Sequence, residues 1–130
     1  MERWIYNGDL LDKTGAIKQR PLVLNRVGMH ENALHRTIRE QGRADYTFLF
    51  VVDGEFYAKL GNSMQKYTAG TLIVYPPFCP QDYYQNGGAY AWAHITGEEV
   101  GRLVDIAFGD ERVINFKPHR EIIAYFERLI

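Results

Sequence analysis

The sequence predicts a mainly β domain, an all-β sandwich or barrel followed by C-terminal α-helices. Turn signals recur about every 8–12 residues through the middle of the chain, the spacing of short antiparallel strands. The segments between them are β-branched and aromatic, and aromatic residues make up 14% of the 130 residues. After Gly97 the apolar spacing changes from twofold to helical. Alternating β-α units are excluded, because no segment between strands is long enough for a crossover helix.

Residues 1–20 show no clear period. Trp4 and Tyr6 alternate across Ile5, and Asn7-Gly8 and Lys13-Thr14-Gly15 read as turns, so an arm with one short strand is expected. Residues 21–25 (PLVLN) predict a short strand, and Val27-Gly28-Met29 a bend. Residues 33–39 (ALHRTIR) alternate, with Leu34, Arg36 and Ile38 on one face and His35, Thr37 and Arg39 on the other. That is a half-buried strand pattern.

Residues 46–52 (YTFLFVV) predict a strong strand. Asp53-Gly54 before residues 55–60 (EFYAKL) gives a hairpin signal. Gly61-Asn62 and Ala69-Gly70 are turns on either side of a short strand at 64–68. Residues 71–75 (TLIVY) form an apolar strand stopped by Pro76-Pro77. Residues 81–85 run into a turn at Asn86-Gly87-Gly88, and residues 89–96 (AYAWAHIT) make the last strong strand.

Helices are expected at 98–108 and 118–130, the second starting near Pro118, with a short extended piece at 112–115. The second helical pattern stops at Ile130 without a capping residue, as an excised domain of a longer chain would. The expected organisation is an arm at 1–20, a barrel at 21–97 and a helical segment at 98–130.

A net charge of −1 gives no basic footprint for phosphates, so binding of DNA or RNA by this segment alone is not expected. Cys79 is the single cysteine of the sequence. It forms no internal disulfide and no paired-cysteine zinc site, which fits a reducing cytoplasm. The polar first fifteen residues do not read as a secretory signal. No apolar stretch approaches the roughly 20 residues of a membrane span.

Tyr90, Trp92 and His94 alternate along the last strong strand and share one face, opposite Ala91, Ala93 and Ile95. Such a face is a stacking wall with three polar tips, suited to a ligand pocket or to a filled barrel. Phe48 and Phe50 share a strand face and are candidates for core or pocket floor. The four histidines are scattered, and His30 and His35, five apart on a loop and a strand, are not expected to share a strand face. Cys79 has no sequence-evident base, so it reads as a buried, inert thiol. In the last helix Ile122, Phe126 and Ile130 recur every four residues with Ile123 and Leu129 adjoining. That stripe can pack on the barrel or pair with a second copy.

Several elements between residues 42 and 97 stand in an ordered series. They are Arg43-x-Asp45-Tyr46, then FLFVVDG at 48–54, then YTAGTLIVYPP at 67–77, then WAHITG at 92–97. This series resembles the N-terminal sensing domain of the AraC/XylS family of bacterial transcription regulators. The resemblance implies a double-stranded β-helix, the cupin or jelly-roll barrel, with C-terminal helices that make a homodimer. It also implies a small-molecule effector, such as a sugar or an organic acid. DNA would be bound only through a helix-turn-helix domain beyond this segment.

By that resemblance, positions matching Tyr83, Tyr90 and Trp92 line the effector site, and Arg39 matches a pocket arginine. The full expected ligand set is Arg39, Phe48, Phe50, Tyr83, Tyr90, Trp92 and His94. The expected dimer set is Ile122, Ile123, Phe126, Leu129 and Ile130. The arm, through Trp4 and Tyr6, is expected to cover the pocket or contact the DNA-binding domain.

Enzymatic cupins usually carry a His-x-His pair and further metal ligands. No such pair is present, and Gln81 and Asp82 stand where a histidine is common. The expectation is therefore a cytoplasmic, non-catalytic domain without metal or cofactor. The alternatives are a stand-alone cupin enzyme, a metal-dependent isomerase or dioxygenase, and a non-catalytic cupin scaffold.

Overall fold

A computed structural model of the chain describes residues 2–6, 22–32, 34–116 and 120–130. The turns expected at Asn7-Gly8 and Lys13-Thr14-Gly15, the side chains of Trp4 and Tyr6, and the helix start at Pro118 lie outside the described residues.

Two long strands form the spine, β4 (Tyr46–Leu60) and β7 (Gln81–Thr96), paired antiparallel. The first half of β4 also pairs with β6 (Thr71–Tyr75), and its second half with β5 (Ser63–Tyr67). On the other side, the first half of β7 pairs with β3 (Leu34–Arg39) and its second half with β2 (Val23–Glu31). β1 (Glu2–Tyr6) adds to β2, and β8 (Val113–Asn115) adds to β6. The eight strands form one sheet that folds over on itself around an apolar core. The protein is mainly β, a jelly-roll barrel with C-terminal helices.

Each spine strand is bent in the middle rather than broken. Gly54 and Gly88 adopt positive φ angles of 78° and 77°, and the ladder shifts register around Asp53. The two backbones cross so closely there that a Cβ added at Gly88 would collide with the Asp53 carbonyl oxygen. The hairpin expected at Asp53-Gly54 and the turn expected at Asn86-Gly87-Gly88 are therefore corrected. They are facing glycine bends in two continuous strands.

The bend expected at Val27-Gly28-Met29 is also corrected, since β2 runs straight through it. Gly28 lies opposite Trp92 in the ladder. The turns at Gly61-Asn62 and Ala69-Gly70 occur as the sequence predicts.

Alternation then sorts the side chains. Leu49, Val51, Phe56, Ile73, Tyr75, Tyr83, Tyr90 and Trp92 pack on the inner face. The outer face is covered by two helices. α1 (Val100–Phe108) buries Val100, Val104 and Phe108 at every fourth position, against Val74, Phe48 and Ile95. α2 (Arg120–Leu129) lays Phe126 on Phe50, ring centroids 6.1 Å apart and nearly parallel. Ile122, Ile123 and Ile130 pack into the same cluster with Val27, Met29, Ala91 and Ala93. Four of the five residues expected at a dimer interface thus cover the barrel of their own chain, while Leu129 is 46% exposed.

Candidate functional site

β3 inverts the usual rule of its alternation. Leu34 and Ile38 point to solvent, 82% and 58% exposed, while His35, Thr37 and Arg39 turn inward. They face Tyr90, Trp92 and His94 of β7 across a cavity of about 240 Å³. Arg26 and His30 of β2 and Tyr83 of β7 complete the wall. Polar residues can point inward here because the space they reach is a cavity, where their groups remain accessible.

The floor is aromatic. Tyr83 and Tyr90 meet edge to face at 6.2 Å, and both pack on Phe56, at 5.7 and 5.0 Å. Above them the Trp92 ring lies 5.3 Å from His94, with the Arg26 guanidinium over the indole, 5.4 Å from its centroid. His30 and His35 stack at 4.7 Å with planes 16° apart, and His30 also meets Tyr90 at 5.0 Å. As expected, the two histidines share no single strand, yet their rings meet. They sit on different strands that both pair with β7, His30 opposite Tyr90 and His35 opposite Gln85.

A buried hydrogen-bond chain fixes the polar wall. Arg39 Nη1 donates to Gln81 Oε1 at 2.8 Å and to the Tyr83 hydroxyl at 3.2 Å. Gln81 Nε2 donates to Thr47 Oγ1 at 3.0 Å, and Thr47 Oγ1 lies 3.1 Å from His94 Nδ1. Thr47 Oγ1 thus ties the Gln81 amide to the imidazole and fixes the orientation of the His94 ring. Burial, reinforced by the Arg43 charge, pushes the His94 pKa down to about 3, so the ring is neutral near pH 7.

Behind His94 sits Asp45, 2% exposed, with Oδ1 4.0 Å from Nδ1. Burial alone would raise its carboxyl pKa. The bidentate Arg43, at 2.7 and 3.0 Å, and Asn25, at 3.1 Å, hold it below the ordinary value instead.

Among the residues expected to bind ligand, Arg39, Tyr83, Tyr90, Trp92 and His94 meet at this cavity. Phe48 and Phe50 do not, and that expectation is corrected. Opposite β7 they pair with Ala93 and Ala91, on the outer face under α1 and α2. Sequence reasoning missed Arg26, His30, His35 and Thr37. For His35 and Thr37 the signal was present in the face they share with Arg39. For His30 it was hidden by reading a bend at Gly28.

Gln81 stands inside as a buried amide, whereas Asp82 points outward to Arg36, bidentate at 3.0 and 3.1 Å. Cys79, expected to be buried, is only half-buried. Among the described residues no group of three or more His, Cys, Asp or Glu side chains is placed to hold a metal ion, and no helix is long and apolar enough to cross a membrane.

No protein-family model matches the chain, and no curated protein matches it. Solved structures do. One is an RmlC-like cupin from Shewanella frigidimarina, with a TM-score of 0.46 at 14% identity, over 67% of this chain and 91% of that one. A second is the cupin_2 domain of an XRE family transcriptional regulator from Enterobacter cloacae, with a TM-score of 0.44 at 9% identity, over 73% and 92%. A third is an HTH_3 family transcriptional regulator from Vibrio cholerae, with a TM-score of 0.43 at 11% identity, over 63% and 44%.

Proposed function

We propose that this chain is the effector-sensing and dimerisation domain of a bacterial AraC-type transcription regulator, a cytoplasmic, non-catalytic binder of a small molecule. The observation that carries the reading is the cavity of about 240 Å³, which joins an aromatic wall to an arginine fixed by Gln81 and Tyr83. An apolar stacking surface with a few fixed polar groups is what small-ligand sites require. Holding Arg39 in place before binding lowers the ordering cost of that event.

The ordered series between residues 42 and 97 supports the regulator class. The charge of −1 fits a division of labour in which DNA is left to a separate helix-turn-helix domain. Binding rather than catalysis suits His94, whose pKa lies far below the range of an efficient proton carrier at neutral pH.

A thermal-shift screen against sugars, sugar acids and aromatic acids tests the reading, with divalent metals as a separate arm. A ligand at about 100 times its dissociation constant adds roughly 2.7 kcal/mol, a shift of several degrees in a domain of this size. The expected result is a shift with an organic compound that Trp92→Ala removes. A response to metals alone would favour the cupin enzyme, and silence would favour the scaffold.

A further inference from the structure

Among the described residues Arg39 carries its charge into the cavity without a counter-charge. Among the described residues its partners are the Gln81 amide and the Tyr83 hydroxyl, both neutral, and both are met by Nη1 alone. Among the described residues no carboxylate lines the cavity. The carboxylate behind it, Asp45, is closed off behind His94 and already matched by Arg43.

A second donor lies in a residue of the same wall. Trp92 is 8% exposed, and its buried Nε1–H has no partner among the described residues. Indole nitrogen can only donate, and so can guanidinium. Acceptors are few. Thr37 Oγ1 is engaged with His35 Nε2 at 3.1 Å, and the Tyr83 oxygen already accepts from Arg39.

A neutral sugar would leave the Arg39 charge matched only by neutral groups. A carboxylate brings acceptors alone, and hydrogen bonds to an ionised acceptor are roughly twice as strong as neutral ones. We propose that the cavity takes a small organic acid, with its carboxylate held by the free edge of Arg39 and the Trp92 Nε1–H. Its body lies against the Trp92 ring and the Tyr90 floor. The inference rests on the sensor reading of the same cavity and narrows it from sugars or acids to acids.

The test uses matched pairs that differ in charge and little in shape: benzoate against benzamide, and glucuronate against glucose. Each is titrated into the 130-residue chain to tens of millimolar. Affinity is read by calorimetry, and the Trp92 indole N–H by its proton resonance, assigned through Trp92→Phe. At least one acid is expected to bind about tenfold or more tightly than its neutral partner, to move the indole N–H resonance, and to lose about tenfold in affinity in Arg39→Gln. Trp92→Phe, which keeps a ring and loses the donor, is expected to lose several-fold.

Equal binding of acid and neutral partner, abolished by Trp92→Ala, would overturn the acid and leave the sensor standing. An acid preference that survives Arg39→Gln would place the anion elsewhere and also overturn the proposal. No response to any of the four compounds would overturn both readings.

Discussion

On the outer face of the β4–β7 ladder, Phe48 lies opposite Ala93 and Phe50 opposite Ala91. On the inner face, Leu49 lies opposite Trp92 and Val51 opposite Tyr90. Both faces pair a large side chain with a smaller one, but the strand that supplies the aromatic changes. Outside, phenylalanines project from β4 to meet two amphipathic helices, and alanines on β7 make room for them. Inside, the rings project from β7 and line a cavity. One face is finished by packing and the other is left able to accept something. The two should therefore respond differently to the same kind of truncation.

The largest effect is expected on the packed face. Phe50 is fully buried between the ladder, Phe126 and Phe116. Phe50→Ala is expected to cost about 3–5 kcal/mol in urea unfolding, through lost burial and an unfilled cavity under α2. Phe50→Leu should cost clearly less and stay folded. Ligand affinity of the folded Phe50→Leu protein should match the parent. A loss of affinity there as large as in Trp92→Ala would show that the faces are not independent.

The next effect belongs to the cavity wall and is read through pH. His94 stays neutral in the folded chain down to about pH 3 but takes a proton near its ordinary 6.5 when unfolded. The unfolded state therefore binds the extra proton in between. His94 favours folding fully above pH 6.5, and this contribution declines as pH falls from 6.5 toward 3, at up to about 1.4 kcal/mol per pH unit. Asp45 acts in the same direction only below the ordinary carboxylate range, since its folded pKa is lowered. Between pH 6.5 and about 4.5 the slope thus isolates His94. Urea unfolding of His94→Gln across that window is expected to be markedly flatter than that of the parent. An unchanged slope would mean that His94 is charged or solvated in the fold.

The same contrast explains what the sequence made legible. Alternation showed that Tyr90, Trp92 and His94 share a face, that His35, Thr37 and Arg39 share another, and that Phe48 and Phe50 share a third. It did not say which faces point in. That depends on cross-strand partners far away in sequence, such as Ala91 opposite Phe50. β3 was harder still, because its apolar side is the exposed one. The strand at Thr71–Tyr75 and both helices followed from local patterns alone. The glycine bends did not. Asp53-Gly54 and Gly87-Gly88 have the chemistry of turns, and only their close approach to each other reveals two bent, continuous strands.

Truncating the inner face is expected to act on binding. Trp92 lines the cavity, so Trp92→Ala enlarges an existing space more than it opens a new one in packed core. Its cost in urea unfolding should be smaller than that of Phe50→Ala. Affinity for whatever organic compound shifts the melting temperature should fall at least about tenfold, or roughly 1.4 kcal/mol. Unchanged affinity would remove Trp92 from the site.

The smallest effect on stability, and the sharpest test of the outer face, comes from α2. Phe126 and Ile122 pack on the barrel, so acidic substitutions there would report damage to the fold together with any loss of pairing. Leu129 and Tyr125 are instead exposed, at 46% and 55%, on the side of the helix that the barrel leaves open. Leu129→Glu is expected to change folding stability by no more than about 0.5 kcal/mol, as exposed substitutions usually do. If α2 also joins two copies, the same change shifts the protein toward monomer in sedimentation. A dimer unaffected by Leu129→Glu, with the fold intact, would mean that α2 serves the barrel alone and that any pairing surface lies elsewhere. The exposed Leu103 and Ile106 of α1 would then be the next positions to substitute.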